Sequence, residues 1–217
     1  MTPRFESSHL GIAYEILVDQ KKVWTTHLFD CYKTNEVESF FKELVKEGIL
    51  SRSRVQNGRQ SGAVLVNSRK LLALCVKGFA DNIMARLAYT SKRSHPEVVK
   101  DLQWLETDYY ISESDAILTI LIPESSWFTG TKQNELQKIL GINKVQSGGD
   151  IEIILPRYHD FLEKYHRIEN GVKVPSDFYT YLTMKSSHDP VVQQKAKQME
   201  TLLKTTQGSF LYGKPEK

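Results

Sequence analysis

Hydrophobic positions in this chain follow a two-residue period in some stretches and a helical period in others. Ile12, Tyr14, Ile16 and Val18 alternate with their neighbours, Asp19-Gln20-Lys21-Lys22 supplies a polar turn, and Val23-Trp24-Thr25-Thr26 is rich in strand formers. Residues 11–31 therefore read as a β-hairpin. Asn35-Glu36-Val37-Glu38 fits a capping box, and Val37, Phe40, Phe41, Leu44 and Val45 form one stripe, which predicts a helix closed by Gly48. Two short strands over 51–56 and 62–66 flank Asn57-Gly58, a pair suited to a tight turn in which both residues take positive φ.

From Arg69 to Ser91 the apolar residues Leu71, Leu72, Leu74, Val76, Phe79, Ile83, Met84 and Leu87 lie on several sides of a projected helix. That spread predicts one long helix central to a core. Ser94-His95-Pro96-Glu97 starts a further helix running through Trp104 and Leu105. A strand over Asp115–Ile122, a helix over Thr131–Leu140 ended by Gly141, and a strand over Asp150–Leu155 follow. Three helices, at 157–169, 176–186 and 189–206, close the chain. Element types alternate without a regular βαβ rhythm, which points to an α+β fold. A seam near residue 112 divides the chain into 1–111, the basic hairpin and central-helix region, and 112–217, a strand–helix–strand unit with C-terminal helices; one continuous domain is the alternative.

Composition adds mainly exclusions. The 217 residues are 40% hydrophobic and 25% charged, as in ordinary folded proteins, so disorder and collagen-like repeats do not fit. Two cysteines, Cys31 and Cys75, provide no disulfide framework and suit a reducing cytoplasm. No apolar run approaches the ~20 residues that span a bilayer, and the first eight residues lack a signal core, so no membrane partner is expected. Neither Gly-x-x-x-x-Gly-Lys-Ser/Thr nor Gly-x-Gly-x-x-Gly, Cys-x-x-Cys, His-Glu-x-x-His or Gly-x-Ser-x-Gly occurs, so no cofactor is implied.

Charge changes the picture more. Residues 51–100 carry ten Lys and Arg against two acids, whereas 101–150 carry three against eight. Either the acidic stretch covers the basic one, or the basic one faces a polyanion. Ser51-Arg52-Ser53-Arg54-Val55-Gln56-Asn57-Gly58-Arg59 concentrates guanidinium groups on a hairpin among small neighbours. Arg52 and Arg54 share a strand face, and each can donate paired hydrogen bonds to phosphate. Arg69 and Lys70 open the next helix, where cations oppose the helix dipole, so a different role is expected of them. Arg52, Arg54, Arg59, Arg69 and Lys70 are thus the candidate contacts to nucleic acid, and the expected partner is double-stranded DNA.

Glu36–Leu50, with Glu43-Leu-Val-Lys-Glu-Gly-Ile-Leu50, followed by the Arg-rich hairpin to Val66, resembles the recognition helix, turn and wing of winged-helix DNA-binding domains. The resemblance spans residues 36–66. It implies a helix in the major groove and a basic wing on phosphate or minor groove. The expected function is that of a DNA-binding transcription regulator or a mobile-element or phage component, an origin that no single residue specifies. It also implies helices over Leu10–Lys22 and Thr25–Tyr32, against the β-β-α-β-β order that the alternation favours. The hairpin's basic character stands in either case.

Two other readings compete. An assembly subunit would form a homo-oligomer through the long apolar helix 69–91. A metal-dependent enzyme would use His159, Glu163 and His166, which fall within about 60° of one another on a helix over 157–169. The apolar stripe Phe161, Leu162, Tyr165 and Ile168 lies on another side of that helix, so solvated polar contacts account for the trio more simply. Asp150 and Glu152 share a strand face with no partner evident in the sequence.

Overall fold

The computed structural model describes residues 5, 7–18, 23–53, 62–105, 108–114, 117–123, 130–146, 148–157 and 159–205. Its N-terminal elements are α1 (Ser7–Val18), β1 (Val23–Trp24), α2 (Thr25–Cys31), α3 (Thr34–Lys46), β2 (Leu50–Ser53) and β3 (Gly62–Leu65). The strands form an antiparallel sheet in the order β1-β3-β2. Then follow α4 (Ser68–Asp81), β4 (Ile83–Ser91), α5 (His95–Leu102), β5 (Tyr110–Ser114), β6 (Ile117–Leu121), α6 (Gly130–Leu140), β7 (Ile142–Val145) and β8 (Ile151–Pro156). The last elements are α7 (Asp160–Lys164), β9 (His166–Glu169), β10 (Val172–Pro175), α8 (Asp177–Lys185) and α9 (Pro190–Thr205).

The fold is α+β. A five-stranded mixed sheet, ordered β5-β6-β8-β4-β7, has helices on both faces. On one face Tyr89, Ile111, Leu118, Ile120, Ile151 and Ile153 pack with Val98 and Leu102 of α5 and Leu136 and Leu140 of α6. On the other, Tyr110, Leu121 and Ile154 belong to a core that runs through α4, α7 and α8 into α1 and α3. The N-terminal elements therefore share one apolar core with the C-terminal half. Residue 112 lies inside β5, and β4 pairs with β8, so the large sheet draws strands from both sides of that position.

Three expected elements are corrected by the structure. Residues 11–31 do not form a β-hairpin; α1 and α2 are helices separated by the two-residue β1. In α1 Leu10, Ile12, Ala13, Tyr14, Ile16 and Leu17 are all buried. A helix enclosed on most sides is apolar nearly throughout, and part of such a run imitates strand alternation. The long helix 69–91, on which the assembly reading rested, is two elements: α4 stops at the C-cap Asn82 and β4 begins at Ile83. Met84, Ala85, Arg86 and Leu87 are good helix formers, but β8 pairs along β4 from Ile83 to Tyr89 and β7 from Ala88 to Ser91, and the ladders override propensity. The helix 157–169 is only the five-residue α7, followed by the β9–β10 hairpin. Asn170 and Gly171, with φ of 51° and 80°, make its two-residue turn, the backbone that Asn-Gly favours.

Other elements stand near their expected positions. Gly48 and Gly141 take φ of 67° and 62° beyond α3 and α6, the left-handed backbone that ends a helix. At α5 the Glu97 carboxylate accepts from the Ser94 amide at 2.8 Å and the Ser94 hydroxyl at 2.7 Å. Hydrogen bonds from Ser94 are the main reason its carboxyl is held below the usual range. With the folded value below the unfolded one, this cap contributes fully above the unfolded value and is lost as pH falls through the folded one. Glu97→Gln is expected to flatten that acid-side loss of thermal stability, measured as Tm against pH; an unchanged profile would exclude the cap as its source.

Candidate nucleic-acid interface

α3 separates its residues cleanly. Val37, Phe40, Phe41 and Leu44 are buried. Phe40 stacks on the buried His9 of α1 with ring centroids 4.3 Å apart and planes 7° from parallel. The opposite side carries Asn35, Glu38, Ser39, Lys42 and Lys46, all exposed. At 100° per residue, Asn35, Ser39, Lys42 and Lys46 form one stripe three turns long, with Glu38 beside it. These residues are legible in the sequence as the complement of the apolar stripe, a signal that the clustering of arginines does not carry.

β2 leaves α3 through Gly48 and pairs with β3 as Leu50↔Leu65, Ser51↔Val64, Arg52↔Ala63 and Ser53↔Gly62. Alternation places Arg52 on the face of the buried Leu50 and opposite the buried Ala63, yet Arg52 itself is exposed. Arg54 and Arg59, with the Asn57-Gly58 turn, lie outside the described residues. Arg69 is exposed and forms no ion pair among the described residues.

Lys70 is not free. Its ammonium donates to the Glu47 carbonyl at the C-cap of α3 and pairs with the Glu47 carboxylate at 3.0 Å. The Lys70 hydrogen bond is the largest influence holding the Glu47 carboxyl below its usual range. A cation at a helix C-terminus meets the carbonyl end of the dipole, which explains a lysine in the first turn of α4. The candidates thus divide: Arg52 is exposed on β2, whereas Lys70 is paired with Glu47.

Among the described residues, the downstream acids pair elsewhere. Asp101 pairs with Arg93, whereas Asp108 pairs with Lys173. Arg86 pairs with Glu152, the carboxylate whose partner the sequence did not disclose, and Asp150 accepts from the Ser91 amide at 3.1 Å. Among the described residues, Arg52 and Arg69 are matched by none of them.

The metal trio is not assembled. His159 precedes α7 and its Nε2 lies 3.1 Å from Glu163, whereas His166 opens β9. The His166 Nδ1 sits 3.0 Å from the carbonyls of both Leu162 and Glu163, which uses that nitrogen as a donor to backbone. The helix that would have aligned the three ends at Lys164, and no group of three His, Cys, Asp or Glu among the described residues is placed to hold a metal. No helix among the described residues is long and apolar enough to cross a membrane. No protein-family model matches the chain, and no curated protein or solved structure matches it significantly.

Proposed function

We propose that residues 7–65 are a winged-helix unit that binds double-stranded DNA, and that the chain is a cytoplasmic DNA-binding regulator or a mobile-element or phage component. The observation that supports this most is the order α1-β1-α2-α3-β2-β3 with the antiparallel sheet β1-β3-β2. Helices stand at the two places the resemblance needs them, and the helix before the hairpin turns a polar face outward.

An α-helix with its side chains is about 10–12 Å across, and the major groove is about 12 Å wide. Asn35 and Ser39 supply hydrogen-bonding groups for base edges, Lys42 and Lys46 suit guanine or phosphate, and Glu38 accepts from cytosine. Arg52 neutralises phosphate at the start of the wing. With about five phosphates contacted, the logarithm of affinity should fall against the logarithm of salt with a slope of about −4 to −5.

Fluorescence anisotropy on a labelled duplex tests this. The triple variant Lys42→Ala, Lys46→Ala, Arg52→Ala should make the slope shallower by roughly 2.7, about 0.9 per lost phosphate contact. All three side chains are exposed, so the fold is expected to survive. A folded triple variant with the wild-type slope would remove this proposal.

A further inference from the structure

Tyr32 follows α2 and precedes Lys33, the N-cap of α3. Its phenol is held on three sides. The hydroxyl lies 3.1 Å from the Tyr165 hydroxyl and receives a hydrogen bond from Lys164 at 3.3 Å. The Lys164 ammonium also sits 4.4 Å from the centre of the Tyr32 ring. Tyr165 donates in turn to Glu15 of α1, and Lys164 lies 4.0 Å from the same carboxylate. On the third side is Gly11 of α1, where a methyl group would stand 2.2 Å from the Tyr32 oxygen. The absence of a side chain at Gly11 is what lets the phenol reach its partners.

This cluster joins elements 132 to 150 residues apart in sequence. Tyr165 is buried, and burial above all pushes its phenol far above the ordinary tyrosine range, so it remains a donor across physiological pH. Lys33, next to Tyr32, provides the carbonyl that accepts from the amides of Glu36 at 3.0 Å and Val37 at 3.1 Å. Whatever holds Tyr32 therefore holds the peptide from which α3 starts.

We infer that Lys164 and Tyr165, in the C-terminal half, are positioning residues for α3, and that they act through Tyr32 to set how its polar face is presented. The DNA-affinity consequence rests on the nucleic-acid reading above; the effect on the first turn of α3 does not. Coupling of this kind follows from linkage: a state of the C-terminal half that loosens the cluster weakens presentation of α3, and occupation of α3 tightens the cluster.

Two full-length variants test it. Tyr165→Phe deletes one hydroxyl and keeps the ring, whereas Gly11→Ala expels the Tyr32 phenol without touching Tyr165. Amide hydrogen exchange at Glu36 and Val37 is compared with Ile153 in the central strand, and duplex affinity is measured by anisotropy. Both variants should speed exchange at the two α3 amides about fivefold or more relative to Ile153. Both should also weaken binding by at least about fivefold at an unchanged salt slope, because no phosphate contact is lost. Uniform acceleration across the chain would show global destabilisation only and overturn the inference, as would unchanged exchange at Glu36 and Val37. Local acceleration in a chain whose wild type binds no duplex would leave the positioning role standing and remove the nucleic-acid reading instead.

Discussion

Gly149→Ala is expected to cost at least about 3 kcal/mol of stability, far more than one added methyl ordinarily does. The reason lies in the topology. β7 and β8 are both antiparallel to β4 but occupy its opposite edges, so residues 146–150 must carry the chain across β4. The crossing falls at Tyr89, paired with Lys144 on one side and Ile151 on the other. A methyl group on Gly149 would sit 2.0 Å from the Tyr89 carbonyl oxygen and 2.9 Å from its nitrogen. Those are backbone atoms of a central strand, and no rotamer change relieves the clash. Gly148 is the control, because its φ of 71° strains any larger residue while nothing lies within 4 Å of the added methyl. Gly148→Ala should therefore cost only about 1–2 kcal/mol. Urea unfolding of the two variants separates lost space from backbone strain; equal midpoints would refute the crossing as the reason for Gly149.

Arg86→Ala should cost about 3–5 kcal/mol, because it strands a partly buried carboxylate. Arg86 donates to both oxygens of Glu152 at 3.0 Å, with the two side chains only 15% and 20% exposed. Its other terminal nitrogen donates to the Thr183 carbonyl at 3.1 Å and to the Ser186 hydroxyl, closing the C-terminal end of α8. One guanidinium thus links β4, β8 and α8. The double variant Arg86→Met, Glu152→Leu should recover most of the loss, since an apolar pair avoids desolvating two charges. Denaturant unfolding in a double-mutant cycle measures the coupling. A cost below about 1 kcal/mol for Arg86→Ala would place this pair with ordinary surface ion pairs.

These two positions show how unevenly the chain discloses itself. Nothing in Ser147-Gly148-Gly149 reveals that a strand 60 residues earlier lies against the second glycine. Glu152 was visible as an unpartnered acid on a strand, while its arginine stood 66 positions away in a segment that reads as helix. The candidate interface was partly legible. The apolar stripe of α3 defined its polar side, and the strands expected to either side of Asn57-Gly58 pair as β2 and β3. Lys70 reads in the sequence as a cation opposed to the dipole of its own helix, yet it faces Glu47, and only the packing of α4 beside the end of α3 assigns that pair.

Elements with local signals can be read straight from the residues: α3 with its stripe and Gly48, the Ser94–Glu97 cap of α5, and α6 ended by Gly141. Caps, turns and a one-sided apolar stripe act within a few residues, so the information for them is contiguous. Tertiary structure alone decided that 7–18 is a helix and 83–91 a strand. Both are apolar on more than one side, and such segments take whichever backbone their neighbours can satisfy with hydrogen bonds and packing. It likewise decided which charges remain free, because ion pairs such as Arg86–Glu152 and Lys70–Glu47 form between residues that only the completed core brings together.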